Sequence, residues 1–225
     1  MTAATSVHEA LVSRRSVRRF QPDGIPREVI ERILLGASYA PSGHNIQPWQ
    51  VYVVTGATKA KVTEAVLGAI HAGDPPDEEF DYYPEQWFEP YQARRRAVGY
   101  ALYETLGIQR EDRARRQAQM LENFRFFGAP VGLFITFDRR LSTGTFMDVG
   151  MFIENILIGA RGEGLHACGQ VAWCPYHKAI RPVLGIPDEQ MFVCGISLGH
   201  EDTSAPENTL RVAKVAPAEF TTWLD

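Results

Sequence analysis

Four arginines fall within six positions in the stretch SRRSVRRF, residues 13–20. A guanidinium is permanently charged and presents a planar fork of donors. Such a cluster either gathers an anion or trails the C-terminus of a helix, where cations complement the dipole and stay in water. On the cluster alone, both readings stand. Elsewhere the reactive side chains are less organised. His44, His166, His177 and His200 are scattered without the HExxH spacing of a zinc site, so no metal is expected. Ser42 is followed by Gly43 and His44 but sits in no GxSxG elbow, and no acid is placed to orient His44. Hydrolase chemistry is therefore not indicated. Arg94, Arg95 and Arg96, with Arg113, Arg115 and Arg116, alternate with acids such as Glu104, Glu111 and Asp112 and read as solvated helical faces.

The chain as a whole does not share the charge of its arginine cluster. Its 225 residues carry 23 Lys+Arg against 27 Asp+Glu, which lacks the footprint of a nucleic-acid binder and confines the arginines to a local task. A composition 45% hydrophobic and 22% charged suits one compact domain or one subunit of an oligomer. Cys168, Cys174 and Cys194 are odd in number and form neither CxxC nor zinc-finger spacing, so a disulfide framework is not expected and a reducing cytoplasm fits. No apolar run approaches the roughly 20 residues of a membrane span. The N-terminal MTAATSVHEALVSRR lacks the apolar core of a signal peptide. The expectation is a cytoplasmic protein with no membrane or nucleic-acid partner.

The elements that must position these residues read as follows. A short helix is predicted over Val7–Ser13 and a firmer one in GIPREVIERILLGA, where Pro26 suits a first helical position and Ile30, Ile33, Leu34 and Ala37 recur on one face. Pro41, Gly43 and Pro48 force a loop before the strand QVYVVT. ATKAKVTEAVLGAIHAG is helical, DPPDEEFDYYPEQWFEPY is an acidic, aromatic insertion without clear period, and QARRRAVGYALYETLG and REDRARRQAQMLENFRFF are helical again. APVGLFITFD reads as a buried strand, and MDVGMFIENILIGARGEG as a helix apolar nearly all round, buried between layers or subunits. LHACGQVAW is a strand or extended loop, YHKAIRPVLG a short helix ended by Gly185, and MFVCGISLG a strand. The polar tail ends with Phe220, Trp223 and Leu224, which suggests docking on a partner. The coarse architecture is α+β in a single domain, residues 1–225.

Four short motifs then occur in order: SRRSVR at 13–18, PSGxN from Pro41 to Asn45, GLxxCxQ at 164–170, and Asn-Thr-Leu-Arg at 208–211. Together they resemble the nitroreductase family of flavoproteins over almost the whole chain. The stretches YYPEQWFEPYQARRR and FFGAPVGLFIT are similar to the branch of nitrobenzoate and related nitroaromatic reductases. The resemblance implies a three-layer fold with a central, mainly antiparallel sheet flanked by helices. It further implies an intertwined homodimer whose two active sites each hold FMN at the subunit interface. By the same resemblance, Arg14 meets the flavin phosphate, Arg15 and Ser16 the phosphate or ribityl chain, and Arg18 the pyrimidine edge of the ring, while Arg211 closes on the phosphate. Pro41, Ser42, Gly43 and Asn45 come from the other subunit. Gly169, Gln170, Val171 and Ala172 run along the flavin edge, with a backbone N–H near Ala172 facing N5. Val171 departs from the acidic residue most often seen there, but a backbone donor depends little on its side chain.

A phosphate monoester carries about −1.5 to −2 charges at neutral pH and suits arginine forks. At the pyrimidine edge, a fixed cation stabilises the reduced, anionic flavin more than the oxidised ring and raises the potential. The insertion at about 73–125 is expected to cap a substrate cavity in relatives of this kind; Tyr82, Tyr83, Trp87, Phe88 and Tyr91 either line that cavity or staple the loop to the body. The implied activity is a ping-pong transfer of hydride from NADH or NADPH through flavin to a nitroaromatic compound, two electrons and two protons per round, passing to the nitroso and in a second round to the hydroxylamine state, with no side-chain nucleophile. Alternatives on the same scaffold are a reductive dehalogenase, an enone or quinone reductase, a flavin-cleaving enzyme, or a non-enzymatic flavin-binding protein.

Overall fold

The segment Val131–Asp138 is apolar nearly throughout and rich in β-formers, so it can be buried on both faces. In a computed structural model of the chain, describing residues 2–224, it is β2 of a four-stranded sheet. The strand order is β1 (Trp49–Val54), β2, β4 (Gln190–Gly199), β3 (His166–Gln170), and every neighbouring pair is antiparallel. Leu133, Ile135 and Phe137 pack with Ile30, Ile33 and Ala37 of α2 (Arg27–Ala37) and with Val149, Phe152 and Ile156 of α6 (Thr145–Gly162). Phe134 belongs instead to the core under the opposite face, with Val62 and Val66 of α3 (Gly56–Ala72), Ile180 of α7 (His177–Leu184) and Trp173. The fold is thus α+β in three layers. Each Val, Leu, Ile or Phe among them contributes roughly 1.5–3 kcal/mol by leaving water.

Two glycines let aromatic rings lie directly on the sheet. A Cβ at Gly132 would stand 2.2 Å from the Phe126 ring, and one at Gly195 would stand 2.4 Å from Trp173. Phe126 and Phe127 end the run expected to be helical to residue 127. Only α5 (Arg113–Leu121) is α-helical there; Glu122–Gly128 tightens into a 3₁₀ turn, and Phe126 and Phe127 take φ of 55° and 53°. Left-handed backbone at two non-glycine residues is costly, but it seats both rings in the core at 0% and 2% exposure. Pro26 also differs by one position, capping α2 from outside its first turn. Residues 165–173 divide into β3 and a 3₁₀ turn, Val171–Tyr176.

The insertion begins irregularly after α3 and continues through α4 (Tyr91–Thr105) and α5. Its first turn is clamped to the body by charge. Glu79 accepts from Arg181 Nη2 at 2.9 Å, from the Phe192 backbone N–H at 2.9 Å and from Arg139. Among the described residues, no helix is long and apolar enough to cross a membrane.

Candidate functional site

The arginine cluster does not sit in a helical last turn. The first helix, α1 (Val7–Ser13), stops before it, and Arg14 is already extended at φ −62° and ψ 127°. Extended backbone alternates faces: Val17 is fully buried while Ser16 and Arg18 reach a cavity. The segment is stitched to the chain beyond β4. Phe20 bridges to Glu201, and the Gln21 N–H donates to His200 O at 2.9 Å. Asn208 Oδ1 accepts the Arg18 N–H at 2.8 Å, and its amide donates to Arg19 O at 2.7 Å. These bonds bring Arg211 to the arginines almost 200 positions earlier.

The result is a cavity of about 500 Å³ whose lining, among the described residues, includes Arg14, Arg15, Arg18, Arg161, Arg211 and Lys214 and no carboxylate. Arg19 turns away to Glu207 at 3.1 Å and Glu122 at 3.3 Å. Arg14 Nε lies 3.5 Å from Glu154 on α6. Arg15 Nη2 donates to the buried carboxyl of Glu201, while Arg15 Nη1 is buried without a partner among the described residues. Burial pushes the Glu201 carboxyl up, against the pull of Arg15 and Arg211. His166 also lines this cavity. Burial, then the charges of Arg161, Arg15 and Arg211, bring its imidazole down to about 3. A neutral His166 makes no ion pair with Glu201 although Nε2 and Oε2 are 3.5 Å apart, and neither atom has a hydrogen bond among the described residues. An anion is what this surface lacks.

A second cavity, about 660 Å³, lies at the other end of β3. Gly169, Gln170 and Val171 form one side, Ile153 and Phe146 of α6 another, and Phe80 and Tyr82 of the insertion a third. Phe80 and Phe146 meet at 4.7 Å between ring centroids. The Gln170 amide is committed inward, donating to Asn123 O at 2.8 Å and accepting from Ser197 Oγ. Cys194 lines the cavity too, but burial raises its thiol to about 12, so it is no nucleophile. His166 and Gln170 stand four residues apart on one strand, so the two cavities are joined by a span of roughly 13 Å. Arg18 also borders a small cavity beside Asn123, the partner of Gln170.

Of the residues expected around a cofactor, Arg14, Arg15, Ser16, Arg18 and Arg211 are gathered at the first cavity, and Gly169, Gln170 and Val171 at the second. Ala172 packs against the core beside Trp173 and lines neither. Pro41, Ser42, Gly43 and Asn45 lie on a loop that lines neither cavity; its Gly43 N–H points at Asp148, 3.3 Å from both carboxylate oxygens. Of the five expected aromatics, Tyr82 alone lines the second cavity. Tyr83 packs edge-on against Tyr82 at 4.7 Å and meets Trp87 at 5.4 Å, and Phe88 pairs with Tyr91 at 5.2 Å. Sequence reasoning missed Arg161, His166, Asn208, Phe80 and Phe146. Asn208 lay inside a quoted motif and could have been singled out; the other four carry no local signal.

A nitroreductase family profile matches residues 11–200. Nitrobenzene nitroreductase of Ectopseudomonas oleovorans is 40% identical over 227 residues, covering 100% of this chain and 99% of that protein. 4-Nitrobenzoate reductase of Pseudomonas putida is 37% identical over 222 residues, 98% of this chain and 97% of the other. Among solved structures, the FMN and NADPH-dependent nitroreductase NfnB from sphigopyxis sp. strain HMH is 40% identical with a TM-score of 0.95, covering 98% of this chain and 99% of that one.

Proposed function

Because the chain belongs to the nitroreductase family, we propose that it is an FMN-dependent oxidoreductase reducing nitroaromatic compounds with NADPH, the donor named for its relative from sphigopyxis sp. strain HMH. One observation carries the reading: a single strand, β3, connects a carboxylate-free ring of cations to an aromatic-walled cavity. A ligand with a dianionic end and a planar apolar end fits that pair. The unpartnered Arg15 Nη1 supports a phosphate at the first cavity. Bound FMN would supply two-electron redox chemistry between the nicotinamide and the nitro group.

The residues of this chain do the rest. Arg14, Arg15 and Arg211 hold the phosphate with Ser16, each charge-assisted bond contributing roughly 1.5–3 kcal/mol. Glu201 keeps Arg15 aimed. Arg18 places its charge beside the ring edge and favours the reduced form. Gly169, Gln170 and Val171 border the ring, and Phe80, Tyr82 and Phe146 exclude water and stack the substrate.

The protein acts as a homodimer in the cytoplasm. Pro41, Ser42, Gly43 and Asn45, which serve no cavity of their own chain, cover the partner's flavin. Supporting this, the large apolar side chains of Tyr39, Met147, Trp223 and Leu224 are each 71–91% exposed, more suited to contact with a second copy than to water. Three free, buried cysteines fit a reducing compartment. The insertion from about residue 73 to 125 caps the cavity.

Purified protein is expected to carry FMN, to bleach under anaerobic NADPH and to recolour on addition of nitrobenzene. Flavin that NADPH does not reduce would overturn the assignment.

A further inference from the structure

Relatives that act on nitrobenzene and on 4-nitrobenzoate resemble this chain about equally, at 40% and 37% identity. The cavity chemistry separates them. Among the described residues, the one ionisable carboxylate or cation on the lining of the 660 Å³ cavity is Asp81, an exposed acid between Phe80 and Tyr82 at the cavity mouth. The nearby guanidiniums of Arg139 and Arg181 are committed to Glu79. The Gln170 amide is spent on Asn123 and Ser197. A carboxylated aromatic entering this cavity would leave water, meet a like charge and find no cation in the lining to compensate it.

Resting on the reading that this is a nitroarene reductase, we propose that Asp81 determines substrate specificity, selecting uncharged nitroarenes and excluding nitrobenzoates. With the nitro group toward the Gly169–Val171 side, a para substituent extends toward the Phe80–Tyr82 turn. An uncharged ring keeps the aromatic contacts of Phe80, Tyr82 and Phe146 without that electrostatic cost. Repulsion of this kind discriminates by penalising the wrong ligand rather than by tightening the right one.

The test has two readouts. The first is the ratio of kcat/KM for nitrobenzene to that for 4-nitrobenzoate, expected to exceed about tenfold. Asp81→Asn is expected to shrink the ratio by about tenfold and Asp81→Lys to invert it. Glu78→Gln, which removes an acid exposed like Asp81 but outside the cavity lining, is expected to leave the ratio within about twofold. The second readout is calorimetric binding of benzamide and benzoate to the oxidised protein, which needs no turnover. Benzamide should bind at least about tenfold more tightly, and Asp81→Asn should close the gap. Equal use of both nitroarenes, with a ratio that Asp81→Asn leaves in place, overturns the inference while the reductase assignment survives. Protein that reduces neither nitroarene removes both.

Discussion

Among the described residues, six cations and no carboxylate line the cavity at the His166 end of β3, whereas at the Gln170 end the walls are aromatic and the lining holds one acid. The first site is assembled by hydrogen bonds. Asn208, Glu201 and the backbone of Phe20 and Gln21 tie together segments from opposite ends of the chain. The second is assembled by packing, with α6, the edge of the sheet and one turn of the insertion brought together by burial and by the Glu79 clamp. The contrast separates two ways of specifying a site. Directional bonds fix where a charge lands, and shape fixes what can lie flat.

The clamp offers the sharpest way to break the second site without touching its lining. Glu79 and Arg181 expose 8% and 9% of their side chains, and removing one partner from such a pair costs about 3–5 kcal/mol. Glu79→Ala should therefore lower Tm markedly and raise KM for nitroarenes, as differential scanning and steady-state kinetics would report. Although burial pushes the Glu79 carboxyl up, the Phe192 N–H, Arg139 and Arg181 outweigh it and hold the group below 4.5. Its contribution to stability is thus complete above that pH and is given up as pH falls through the lower folded value.

Packing beneath the same cavity can be tested next. Gly195→Ala puts a methyl group 2.4 Å from Trp173, and overpacking of that kind costs about 1–3 kcal/mol. Chemical denaturation should show the loss.

At the cationic end the signature is a pH dependence. His166 is held neutral to about pH 3, whereas the unfolded chain takes up that proton near 6.5. Between those values the unfolded state binds more protons, so stability rises with pH by up to about 1.4 kcal/mol per unit. His166→Gln should flatten that part of the profile. Arg18→Ala makes a finer distinction between the two ends. With FMN still bound, the midpoint potential should fall by on the order of 30 mV, about 1.4 kcal/mol for a two-electron couple. An unmoved potential would place Arg18 with the phosphate group instead.

The same contrast explains what could be read from the sequence. Charged groups gathered by extended backbone leave short motifs, so SRRSVR and Asn208–Arg211 pointed to the first cavity before any fold was known. The strand β2 and the helix α6 declared themselves by continuous apolar character. Phe80 and Phe146 gave no such notice, because they meet only once the insertion folds onto the N-terminal end of α6. His166 and Arg161 were equally silent, being isolated residues whose meaning comes from burial beside Arg15. Aromatic density in the insertion singled out Tyr82, which lines the second cavity, but not Phe80 beside it; Tyr83 packs against Tyr82, and Trp87 against Tyr83.

The account stands most directly on the anion at the arginine end of β3. Apo-protein should bind FMN at least about 100-fold more tightly than riboflavin, because charge-assisted bonds to the phosphate contribute roughly 1.5–3 kcal/mol each. In an Arg14→Ala/Arg211→Ala double variant, that preference should fall below about tenfold. Equal affinity of the wild-type protein for FMN and riboflavin would contradict it.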